Sequence, residues 1–96
     1  DIATKLIGGQ YDATLADSTV IGYTSSQSAG KIEQLGDTFE SAPQGVAVAK
    51  DDAQLAEAVQ KAMQYLMDNG YLNDILATYG AENAALTTAA LNPTVD

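Results

Sequence analysis

"GGQYDATLADSTVIGY", residues 8–23, decides how this chain is read. Tyr11, Ala13 and Leu15 alternate with Asp12, Thr14 and Ala16, the two-residue period of a strand with one buried face. Asp17 ends that run. From Ser18 onward Val20, Ile21, Tyr23 and Thr24 suit a short helix that fades into the polar, glycine-ended "SSQSAG", residues 25–30. An acid stands where strand gives way to helix, and its purpose is the question the rest of the sequence has to answer.

Upstream, Ile2, Leu6 and Ile7 share one helical face, and Gly8-Gly9 supplies backbone on which helices commonly end. "DIATKLIGG" opens as though in the middle of an amphipathic helix, with no cap or turn before it, so the sequence is expected to be a piece of a longer chain. Downstream, "KIEQLG", residues 31–36, reads as a short strand. "DTFESAPQ", residues 37–44, reads as an extended connection, because Pro43 fixes its own backbone and pushes Ala42 out of helical geometry. "GVAVA", residues 45–49, is a small apolar run of the kind buried on both faces of a mostly parallel sheet.

"DDAQLAEAVQKAMQYLMDNG", residues 51–70, carries the clearest helical pattern. Leu55, Val59, Ala62, Met63 and Leu66 line one face, and Gln54, Glu57, Lys61, Gln64 and Asp68 the other. Asp51 is the expected cap, with Gln54 completing a capping box, and Gly70 ends the helix. A shorter helix follows, with Tyr71, Ile75 and Tyr79 on one stripe, Leu72 and Leu76 beside it, and Gly80 as terminator. Residues 81–96 show no clear period and read as a docked or loose extension. Strand, helix, strand, link, strand and two helices predict an α/β fold with a mostly parallel sheet and helices on its faces.

Composition narrows the function. With 96 residues the chain is one small domain, and its 46% hydrophobic content is that of a folding protein. Thirteen acids face four lysines and no arginine, for a net charge of −9, which opposes nucleic acid and anionic lipid as partners. Without cysteine or histidine there is no disulfide, thiolate nucleophile, imidazole base or ordinary zinc site, and no cofactor or metal is implied. No apolar stretch approaches the ~20 residues that span a bilayer, so no direct membrane insertion is expected.

Two stretches together resemble a known family. "GGQYDATLADSTVIGY" is similar to a run in the second lobe of the amino-acid-binding proteins of ABC importers, the bacterial solute-binding family 3. "PQGVAVAKDDAQLAEAVQKAMQYLMDNGYLNDILATYG" is similar to the segment by which those proteins return to the first lobe and finish. The likeness covers residues 1 to about 80, and "LNPTVD" resembles some family tails. It implies a two-lobed clamshell of the periplasmic-binding-protein type that closes over a small polar solute and hands it to a permease. Residues 1–38 would be the end of lobe two, 39–44 a hinge crossing, 45–80 the closing part of lobe one and 81–96 a C-terminal tail. The family's arginine for the ligand's carboxylate has no counterpart here, so this piece is not expected to bind tightly alone.

In such proteins the acid matching Asp17 receives the ligand's ammonium group. The competing reading is that Asp17 or Ser18 caps the following helix, and both roles can coexist on one carboxylate. With the resemblance counted, Asp17 is the ligand acid and Ser18 the better cap. Thr38 and Gln44 flank the crossing as hinge contacts. Asp12 and Lys50 read as solvated residues, and Tyr65, Tyr71 and Tyr79 as packing groups. The reading is a non-enzymatic, extracytoplasmic binding protein, periplasmic or a cell-surface lipoprotein, with an amino acid and an ABC permease as partners. An enzyme on the same scaffold, of dehydratase or cell-wall-cleaving type, has only Asp17 and Glu40 to draw on, and a sensor-receptor domain is a further alternative. Uncovered strand edges in such a piece predict a homodimer or higher oligomer.

Overall fold

The computed structural model describes residues 1–94. Within them the chain forms α1 (Ile2–Ile7), α2 (Ser18–Gln27), α3 (Ala53–Asp68), α4 (Tyr71–Thr78) and a 3₁₀ turn, Glu82–Ala84. The expected α/β architecture, a clamshell portion with a mostly parallel sheet, is corrected: the described residues contain no strand. A strand exists only where a second backbone edge meets it. Residues 11–16 and 33–48 make no backbone-to-backbone hydrogen bond among the described residues, so the runs expected at 11–16, 31–36 and 45–49 have no ladder. "GVAVA" is not buried on both faces either; Val46 is 67% exposed.

The absence of a sheet leaves the chain open. Its radius of gyration is 16.4 Å, against about 12 Å for a compact domain of this length. Its accessible surface is 7756 Å², where a compact protein of this mass would show about 5,200 Å². Ile32 and Ala81 are the buried apolar residues, while Leu15, Leu35 and Phe39 stand largely in solvent.

Local chemistry explains each helix. Asp1 caps α1, its carboxylate accepting from the Ala3 amide at 3.0 Å and the Thr4 hydroxyl at 3.4 Å, so the helix does have a cap. The Lys5 ammonium lies 5.7 Å from the centre of the Tyr11 ring, tying α1 to the extended run after it. α2 runs through Ser25 and Ser26, further than the fading pattern suggested. The serines then close the turn behind it: Ser25 Oγ donates to the Ile32 carbonyl at 3.0 Å, and the Ile32 amide donates to buried Ser28 Oγ at 3.0 Å.

In α3 the cap is Asp52, not Asp51. Its carboxylate accepts from the Leu55 amide at 3.0 Å, and the helix starts at Ala53. The expected Asp51–Gln54 box is therefore one residue out of register. On the exposed side Lys61 bonds Glu57 at 2.9 Å, and that hydrogen bond and charge hold the Glu57 carboxyl below its ordinary range. The Asn69 side chain donates to the Tyr65 carbonyl at 2.8 Å, and Gly70, at φ +78°, turns the chain into α4 through a conformation open to glycine.

Two glycines join the halves of the chain. A Cβ on Gly22 in α2 would stand 2.5 Å from the Gly80 carbonyl oxygen, and one on Gly80 would stand 2.9 Å from Ser26 Cβ. Beside them the rings of Tyr23 and Tyr79 lie 5.9 Å apart. Tyr65 and Tyr71 pair likewise at 6.3 Å, so the tyrosines pack on one another. The tail docks on α3 through the backbone of Thr87 and Ala89; Val95 and Asp96 lie outside the described residues.

Asp52→Ala should cost about 1 kcal/mol in thermal unfolding, and Asp51→Ala within about 0.5 kcal/mol of nothing. The reverse order would return the cap to Asp51. Gly22→Ala should lower the melting temperature, because overpacking of about 1–3 kcal/mol outweighs the ~1 kcal/mol that alanine gains in a helix. A rise would show that α2 and Gly80 do not touch.

Candidate ligand site at the start of the second helix

Asp17 occupies the N-cap position of α2, with φ −54° and ψ 142°, and its carbonyl accepts from the Ile21 amide at 3.0 Å. Its side chain makes no capping bond. Ser18, expected as the cap, is instead the first helical residue. The extended backbone of residues 11–16 thus delivers an exposed carboxylate to the positive end of a ten-residue helix, which favours negative charge there. Among the described residues no lysine salt-bridges it. A carboxylate so placed can accept a charge-assisted hydrogen bond from a cation arriving from solvent.

The residue after Asp17, Ser18, lines a small cavity of about 50 Å³ together with Gln34, Thr38, Gly80, Ala81, Asn83 and Ala84; Asp17 itself is not part of that lining. The structure therefore brings Thr38 next to the residue that follows Asp17. Gln44 does not line the cavity, nor do Asp12, Glu40 or Lys50. Glu40 lies in a left-handed turn at φ +49°. A volume of about 50 Å³ is far below the ~300 Å³ at which pockets for small organic ligands begin, so these residues form one polar wall and not an enclosed site.

A larger cavity, about 270 Å³, opens between α1 and α2, and its lining includes Asp1, Ile7, Tyr23, Thr24, Gln27 and Ile32. Volume alone favours it, but chemistry does not. The Asp1 carboxylate is already engaged by the Ala3 amide and the Thr4 hydroxyl, and Asp17 lines neither cavity. Among the described residues no three acids gather as a metal site would need.

Gln34 and Asn83 were not singled out in the sequence, where a lone amide carries no positional signal. Gly22 did offer one. A glycine inside a helix costs about 1 kcal/mol against alanine, which is tolerable where a backbone must come close.

Asp17→Ala should leave the melting temperature almost unchanged, within about 0.5 kcal/mol, since no capping bond is lost; a loss near 1 kcal/mol would mean that the carboxylate caps α2 in solution.

No protein-family model matches this chain. No solved structure matches it. Among curated proteins it is similar to the arginine-binding protein ArgT of Corynebacterium glutamicum, 39% identical over 90 residues. Those residues make up 94% of this chain and 29% of that protein, so the chain spans under a third of the length of the relative it matches. The resemblance to amino-acid-binding proteins holds, and the relative is a binding protein by name.

Proposed function

We propose that this chain is part of the solute-binding component of an ABC importer, which captures a polar amino acid outside the cytoplasmic membrane and delivers it to the permease. The observation that carries this reading is the 39% identity to an arginine-binding protein over nearly the whole chain. The unpartnered carboxylate of Asp17 supports it: an α-ammonium group there gains a charge-assisted hydrogen bond of about 1.5–3 kcal/mol. A net charge of −9 with no arginine further favours a cationic solute, and arginine is the first to try.

Capture proceeds by closure of one part of the protein over the solute, without chemistry. In this reading residues 1–38 and 45–80 belong to the two closing parts, residues 39–44 cross between them, and 81–96 form the tail. Thr38, beside Ser18 in the small cavity, and Gln44 are the hinge residues. The 7756 Å² surface exceeds that of a compact monomer by an amount comparable to an obligate interface, which supports association of copies of this chain by itself.

A melting-temperature screen of the full-length protein against the twenty amino acids tests the reading, since a ligand that binds only the folded state stabilises it by mass action. At a hundredfold excess over Kd the expected stabilisation is about 2.7 kcal/mol, lost in Asp17→Asn. A protein that ignores every amino acid would refute solute capture. A shift that survives Asp17→Asn would refute the ammonium contact alone.

A further inference from the structure

The polar edge of α3 holds the tail in a particular way. Gln64 Nε2 donates to the Thr87 carbonyl at 3.0 Å, and Gln64 Oε1 accepts from the Ala89 amide at 2.9 Å. One helical turn earlier, Gln60 Nε2 donates to the Ala89 carbonyl at 3.0 Å. A residue in a parallel β ladder bonds in the same pattern: its N–H goes to the residue before its opposite number and its C=O to the residue after. The Gln64 side-chain amide stands in for one residue of a parallel strand, with Thr88 as its opposite number.

The amide's orientation is fixed from the other side. Gln64 Nε2 also donates to Asp68 Oδ1 at 2.8 Å, one turn further on. Were the amide turned over, its oxygen would face the Asp68 carboxylate, acceptor against acceptor. Asp68 is thus a positioning residue that keeps the donor and acceptor of Gln64 in ladder register. All three of these contacts on the tail go to its backbone and none to its side chains, so they do not read sequence.

We infer that Gln60, Gln64 and Asp68 make α3 a docking edge for extended backbone, and that the chain's own residues 87–89 occupy it as a releasable strap. The strap is held by few bonds, close to solvent, and belongs among the segments that open at low cost.

Amide exchange in the 96-residue chain tests this directly. The Ala89 amide should exchange about tenfold more slowly than that of Thr88, which has no hydrogen-bond partner among the described residues, as a bond of about 1.4 kcal/mol implies. Gln64→Ala should remove that difference while Val59 in α3 keeps its own rate. Asp68→Ala should remove part of it. If Gln64→Ala also speeds Val59, the helix has loosened, and Gln64→Met, which keeps the side chain's length but neither its donor nor its acceptor, becomes the deciding variant: it must speed Ala89 with Val59 unchanged. Equal rates at Ala89 and Thr88 in the unaltered chain would overturn the strap, and so would protection of Ala89 that survives both Gln64 variants.

Discussion

Backbone hydrogen bonding constrains this molecule more than any side chain does. Residues 11–16 and 33–48 are extended and find no backbone partner among the described residues, so more than twenty amide units take no part in regular structure. What order there is comes from helices that satisfy their own backbone, and from a few points where one helix touches another element. The wide surface and the near absence of buried apolar residues follow.

Given that constraint, small contacts acquire large roles. Gly22 against Gly80 sets the distance between α2 and the end of α4, and the Tyr23–Tyr79 pair covers the same junction. The serine turn behind α2 holds Ile32, one of the buried apolar side chains. The Gln60–Gln64 edge holds the tail along α3. The carboxylate of Asp17 is left out of all these arrangements, which is why it remains available to a cation.

The sequence was legible where structure is local. The 3.6-residue period of α3, the glycines at 70 and 80 and the start of α2 after Asp17 are each settled by a few neighbouring residues, and each stands where it was expected, except that the α3 cap moved from Asp51 to Asp52 and no strand precedes Asp17. Pairing is not local. The alternation of Tyr11, Ala13 and Leu15 announces an extended run with two unlike faces but cannot supply the edge it would pair with, and "GVAVA" announces an apolar run without saying what covers it. The tail contacts were hidden for a similar reason: Gln64 and Asp68 look like an ordinary solvated helix face until the tail is seen beside them. For the site, Thr38 shares a cavity lining with Ser18 while Asp17 and Gln44 stand outside it, and the polar wall completed by Gln34 and Asn83 left no mark in the pattern.

The state of the extended runs decides whether the chain carries a sheet, and carbon chemical shifts of residues 11–16 and 33–48 in the 96-residue chain at low concentration measure it. Coil-like values, with helical values confined to α1 through α4 and no cross-strand proton contacts, are the predicted result. Strand-like shifts with such contacts among residues 11–16, 31–36 and 45–49 would contradict it.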